Sequence, residues 1–139
     1  MNYTIEKTEQ YALIRLTDNQ FGGDVPASFE TLSRNLFREG YSNLIVDIEP
    51  VQSVDPTGIS SLRKINRQCT TELGLLVLVT KNEDMIDFLD SANIADLTIL
   101  PTVEEAIDAV FMHELENDFR NEEEDEYDGE FGPGRDADI

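Results

Sequence analysis

The sequence predicts a single α/β domain with a mixed, mostly parallel sheet and about four helices, followed by an acidic tail. Three observations lead to this prediction. Residues 44–46 and 75–79 are apolar without alternation, which is typical of strands covered on both faces. Segments with helical periodicity lie between the predicted strands. After residue 117 the composition changes to a nearly continuous run of acidic residues.

The predicted order of elements is β-β-α-β-α-β-α-β-α. The expected strands span residues 3–7, 11–16, 44–48, 75–79 and 97–100, and the expected helices span 26–39, 56–73, 81–91 and 103–115. The first two strands form an antiparallel hairpin, and residues 18–24, with two adjacent glycines, are predicted to be a plain loop. Because strands and helices alternate after the hairpin, the later strands should pair in parallel through right-handed crossovers.

Three of the predicted helices have recognisable starts. The segments Thr80–Glu83 and Thr102–Glu105 have the spacing of capping boxes, in which a hydroxyl accepts from a free amide of the first turn. Asp55 is a good N-cap, and Pro56 suits the first helical position because its missing N–H costs little there. Gly58 allows another part of the molecule to approach this turn closely.

The helix that starts at Pro56 has two distinct faces at 100° per residue. The face assigned to the core comprises Ile59, Leu62, Ile65 and Cys69. The opposite face comprises Thr57, Ser60, Arg63, Lys64 and Arg67. This helix carries three cations and no acid between Asp55 and Glu72, although the whole chain is strongly acidic. Its polar face is therefore the most unusual predicted surface of the chain. Two interpretations are open: the cations are simply solvated, or they bind an acidic segment of a partner.

The formal net charge of the 139-residue chain is −20. Residues 1–113 hold 18 acidic and 8 basic residues, whereas residues 114–139 hold 12 and 2, so each part carries −10. Such a molecule is not expected to bind nucleic acid or an anionic membrane through bulk electrostatics. The tail, residues 118–139, has too little apolar content to offset the cost of ordering and is predicted to be disordered.

Composition also bears on the compartment. No apolar run approaches the roughly 20 residues of a membrane helix, and the first residues carry no signal pattern. The one cysteine, Cys69, is predicted to face the core as a small apolar residue in a reducing compartment. We therefore expect a cytoplasmic protein.

Few residues suit catalysis or cofactor binding. His113 is the one histidine, so neither a zinc ligand set nor a Cys–His pair can form, and no glycine-rich phosphate loop is present. A phospho-acceptor receiver domain would use Asp47 and Lys81, but the first strand lacks the acidic pair that it requires. The interpretation as a small-ligand or nucleotide-binding domain is likewise unsupported, because the sequence contains no phosphate-binding loop. We expect no metal, no cofactor and no enzymatic activity.

The strand 44–48 and the turn Val54-Asp55-Pro56-Thr57-Gly58-Ile59, together with the element order over residues 3–113, resemble the STAS domain of bacterial anti-sigma factor antagonists. The resemblance implies a STAS-like domain over residues 1–117 that is a binding protein and not an enzyme. It implies a partner of the anti-sigma factor or serine kinase type, which would phosphorylate the residue after the aspartate. We expect the partner surface to comprise the turn and the polar face of the helix that extends it, namely Asp55, Pro56, Thr57, Gly58, Ser60, Arg63, Lys64 and Arg67.

The sequence departs from that family at the usual phospho-acceptor, because Pro56 has no hydroxyl. Either the switch is lost, or it has moved to Thr57, whose hydroxyl could also serve the first helical turn alone. The rival interpretation is a constitutive scaffold or an accessory subunit of a transporter or signalling complex. A further hypothesis is that the acidic tail folds back over the basic helix face and competes with the partner. Deletion of residues 118–139 would then change partner affinity and its salt dependence.

Overall fold

The computed structural model describes the backbone of residues 1–130 and the side chains of residues 1–119. The strands are β1 (Tyr3–Lys7), β2 (Ala12–Leu16), β3 (Gln20–Phe21), β4 (Leu44–Asp47), β5 (Ser53–Val54), β6 (Leu76–Val79) and β7 (Thr98–Leu100). The helices are α1 (Val25–Arg38), α2 (Pro56–Thr71), α3 (Glu83–Ser91) and α4 (Val103–Glu130).

The main sheet has the strand order β1-β2-β4-β6-β7. β1 pairs antiparallel with β2, and the remaining neighbours pair in parallel. The mixed, mostly parallel α/β sheet with four helices that the sequence predicts is therefore confirmed.

Helices cover both faces of this sheet. The larger core lies beneath α1, α2 and α3, where Phe29, Leu62 and Leu89 are buried against alternate residues of the central strands. The second core lies beneath α4, where Ala106 and Val110 pack against the opposite side chains of β2, β4 and β6. Because both faces are covered, the central strands have no polar alternation, which explains the apolar runs in the sequence. Cys69 is buried, as expected, and burial raises the pKa of its thiol to about 12.

A second, two-stranded sheet was not anticipated. Residues 18–24 were predicted to be a plain loop, but Gln20–Phe21 pairs in parallel with Ser53–Val54. Phe21 is buried and packs edge to face on Phe29, with ring centroids 5.4 Å apart. This small sheet links the segment before α1 to the segment before α2.

The helix starts agree with the sequence in two cases and differ in a third. Asp55 caps α2, and the Thr102 hydroxyl accepts from the Glu105 amide at 3.1 Å at the start of α4. The cap of α3 is Asn82, whose side chain accepts from the amide of Met85, and is not Thr80. Thr80 is fully buried at the end of β6, so its hydroxyl instead accepts from the Asn82 amide at 3.1 Å.

Helix α4 continues to Glu130, beyond the expected end near residue 115. The last described contact between its side chains and the domain is made by Asn117, whose amide donates to the Leu73 carbonyl at 2.8 Å. The domain boundary at residue 118 and the disorder of the tail stay predictions. Residues 131–139 of that tail lie outside the described residues.

Candidate functional site

The start of α2 is built around the carboxylate of Asp55. One oxygen, Oδ1, accepts from the Thr57 hydroxyl at 2.6 Å and from the Gly58 amide at 2.8 Å. The other, Oδ2, accepts from the amide of Gly23 at 3.1 Å. These donors, the Thr57 hydroxyl foremost, hold the pKa of Asp55 below its ordinary value. Asp55 therefore caps α2 and also ties it to the loop before α1.

Two glycines allow the loop and the helix to meet. A Cβ on Gly58 would lie 2.4 Å from the Phe21 carbonyl oxygen and 2.7 Å from a methyl of Val54. A Cβ on Gly22 would lie 2.6 Å from the Asp55 carboxylate. The close approach that the sequence indicated at Gly58 is therefore made by the chain's own β3 segment. Gly58 is buried beneath the turn and does not reach the outer surface.

The outer surface of the turn is formed by Pro56, Thr57 and Ser60, all of which are exposed. They line one wall of a groove of about 550 Å³ between α1 and α2. Of the predicted site residues, these three and Lys64 share this groove. The Thr57 hydroxyl is at the surface but already donates to Asp55.

The α1 side of the groove carries Glu30, which the sequence analysis did not single out. Its carboxylate accepts from the Ser61 hydroxyl and lies 3.6 Å from the Lys64 ammonium and 3.5 Å from the Arg34 guanidinium. The Ser61 hydrogen bond, followed by the charges of Lys64 and Arg34, holds the pKa of Glu30 below its ordinary value. The charge of Lys64 is thus partly balanced by Glu30. No periodicity in the sequence could have indicated this ion pair.

The three cations of α2 do not form a single stripe. Arg63 is half-buried, and its guanidinium donates to the Ala92 carbonyl at 2.9 Å, at the C-terminal end of α3. A cation at that position complements the helix dipole. Lys64 faces α1, and the exposed Arg67 lies between the grooves on either side of α2. Arg63 therefore serves the packing of α3, whereas Lys64 and Arg67 remain at the surface.

The His113 ring is not near this turn. It lies on α4, where its Nε2 atom is 3.2 Å from the carbonyl oxygen of Leu73. Within the described part of the chain, no group of three His, Cys, Asp or Glu residues is placed to hold a metal ion. None of the described helices is long and apolar enough to cross a membrane.

The sequence model of the STAS domain matches residues 2–106 of this chain. This range contains the turn, both strands of the small sheet and all of α1, α2 and α3. A search of the curated proteins finds no match.

Three solved structures illustrate the similarity of fold. The Bacillus cell fate determinant SpoIIAA in its phosphorylated form is 19% identical, with a TM-score of 0.62, covering 78% of this chain and 99% of that one. The anti-sigma factor antagonist SpoIIAA in its unphosphorylated form is 20% identical, with a TM-score of 0.60 and coverage of 78% and 97%. A chain from the stressosome, described as a signal integration and transduction hub, is 20% identical, with a TM-score of 0.59 and coverage of 77% and 95%.

Proposed function

Because this chain belongs to the STAS domain family, we propose that it is a regulatory binding protein that acts without enzymatic activity. Its partner is a protein of the anti-sigma factor or serine kinase type, which docks on the turn at residues 55–58 and the exposed start of α2. Support comes from the similar fold of SpoIIAA, which is described as an anti-sigma factor antagonist. The acidic chain acts in the cytoplasm, without nucleic acid or membrane insertion.

The observation that carries this proposal is the fixed geometry of an exposed turn. The Asp55 carboxylate accepts three hydrogen bonds, from Thr57, Gly58 and Gly23, and so holds both the helix start and the neighbouring loop in place. Pro56 restricts the backbone further. A surface that is ordered before binding loses less conformational entropy when a partner docks, which favours its use as a recognition site.

A negative charge at Thr57 would oppose docking in two ways. A phosphoryl group adds about −1.5 to −2 charges at the centre of the proposed surface. It also removes the hydroxyl donor that lies 2.6 Å from the Asp55 carboxylate, and replaces that attraction with repulsion between anions. We propose Thr57 as the phosphorylation site, since Pro56 has no hydroxyl group. Support comes from SpoIIAA, which has a similar fold and is described in a phosphorylated form.

Affinity capture from the native host tests the proposal. Wild type, Thr57→Asp and Thr71→Asp would be used as baits; the last variant makes the same charge change at an exposed residue at the far end of α2. We expect wild type and Thr71→Asp to retain one anti-sigma or kinase-type protein, and Thr57→Asp to lose at least nine-tenths of it. Equal retention by all three baits would contradict docking at this turn.

The alternative is a constitutive scaffold or an accessory subunit of a transporter or signalling complex. Two observations favour it: Pro56 occupies the usual acceptor position, and a chain of the stressosome has a similar fold. In that case all baits should retain the same assembly component. Intact-mass measurement of the protein isolated from its host would then detect no phosphate.

A further inference from the structure

Helix α4 has two apolar faces that point in opposite directions. Its inner face packs on the sheet through Val103, Ala106, Ile107 and Val110. At 100° per residue, a second set lies roughly opposite. This set, the outer face of α4, comprises Phe111, Met112, Leu115 and Phe119, which are 43%, 57%, 62% and 62% exposed. Four large apolar side chains grouped on one helix face are more than the scattered exposure that is normal for soluble proteins.

Polar contacts fix the orientation of this outer face. The Glu114 carboxylate accepts from the buried Asn43 side chain at 2.8 Å. The side chains of His113 and Asn117 both contact the Leu73 carbonyl, at 3.2 and 2.8 Å. Beyond Val110 the helix therefore turns His113, Glu114 and Asn117 toward the domain and its apolar side chains toward solvent. This arrangement is the reverse of a helix that only covers its own core.

The charges around the outer face indicate what can cover it. Between Val103 and Phe119, α4 carries six carboxylates, of which Glu114 faces the domain, and neither lysine nor arginine. A second copy of the chain would bring the remaining carboxylates against an identical set, which is unfavourable. A helix with its own apolar stripe flanked by lysine and arginine would satisfy both the apolar contact and the charge.

We propose that the outer face of α4 binds a basic amphipathic helix of a partner protein. This surface lies on the opposite side of the sheet from α2, because among the described helices α4 alone packs on the second core. It is therefore separate from the turn at residues 55–58, and its test does not depend on the proposed regulatory function. The chain would then have two docking surfaces, one on each side of the sheet.

Two synthetic peptides, each of about 21 residues or three heptads, test this proposal. Both contain the same leucines and lysines; one places leucine at the a and d positions of each heptad, and the other scrambles the order so that no stripe forms. Binding to the full chain is measured by titration calorimetry and by ¹⁵N chemical shifts. The variants are Leu115→Ser with Phe119→Ser, and Phe88→Ser as a matched change of an exposed aromatic residue on α3. Circular dichroism confirms that each variant is folded.

We expect the striped peptide to bind wild type and Phe88→Ser equally, and the double variant at least tenfold more weakly. The scrambled peptide should also bind at least tenfold more weakly, and shift changes should centre on residues 108–119. The proposal is overturned if both peptides bind alike, if the double variant binds as wild type does, or if the shifts map elsewhere. It is also overturned if sedimentation shows a wild-type dimer that the double variant abolishes, since the occupant would then be a second copy.

Discussion

Replacement of Gly58 by alanine should destabilise the protein, although alanine is the better helix former. The new Cβ would lie 2.4 Å from the Phe21 carbonyl oxygen, where real Cβ atoms keep at least 3.0 Å, so α2 or β3 must move by about 0.6 Å. Overpacking of this kind costs about 1–3 kcal/mol, and the helix propensity of alanine offsets up to about 1 kcal/mol of it. We expect a net loss of roughly 1–2 kcal/mol in the free energy of unfolding.

Urea denaturation followed by circular dichroism measures this loss, with wild type and Ser60→Ala measured alongside. Ser60 is exposed on the same helix, so its replacement should change the free energy of unfolding by less than about 0.5 kcal/mol. If Gly58→Ala is as stable as wild type, the close contact between β3 and the start of α2 is absent. Steric contact with β3 would then not be the reason that residue 58 is a glycine.

Three further predictions concern groups that the structure places in defined surroundings. The buried Asn43 side chain accepts a hydrogen bond from the Leu75 amide at 2.9 Å, so Asn43→Ala should lower the free energy of unfolding in urea by about 1–3 kcal/mol. Asn35 is exposed, so Asn35→Ala should lower it by less than about 0.5 kcal/mol. Equal losses in the two variants would contradict this role of Asn43. Because the folded-state pKa of Glu30 is lowered, its carboxylate contributes stability that is present above an unfolded pKa of about 4.3 and is lost as the pH falls through the lower folded value. Between about pH 5 and pH 3, the free energy of unfolding of Glu30→Gln should therefore fall less than that of wild type. If the free energies of unfolding of both proteins fall in parallel with pH, the Glu30 contacts are absent. Burial raises the pKa of the Cys69 thiol to about 12, so at pH 8 a thiol reagent should modify Cys69 only as fast as the protein unfolds. Complete modification within seconds of mixing would contradict this prediction, because it would show that the thiol is accessible.

The sheet and most helix bounds could be predicted because the relevant patterns are local. The uninterrupted apolar runs at β4 and β6 and the caps at Asp55 and Thr102 each lie within a few residues of sequence. The β3–β5 pair could not be found in this way. Two-residue strands are too short to show a period, and their pairing joins segments that lie far apart in the chain.

The local geometry of the candidate site was predictable at its turn and less so at its edges. Asp55 and Pro56 have the local roles that their residue types suggest. Arg63 and Lys64 are neighbours on a helical projection, but one is held by α3 and the other by Glu30 of α1. Which way a long side chain turns depends on acceptors supplied by other elements, and the projection contains no information about them. The same reason explains why Asn82 caps α3, since burial of Thr80 at the end of β6 is a tertiary effect.

The proposed function depends on the docking of a partner on the turn at residues 55–58 and the exposed start of α2. Hydrogen–deuterium exchange of the full chain, alone and saturated with the protein captured from the host, tests it most directly. We predict slower exchange in residues 20–27 and 55–67, with smaller changes in β1 and α4. Unchanged exchange in both of these segments, with protection elsewhere, would contradict the claim.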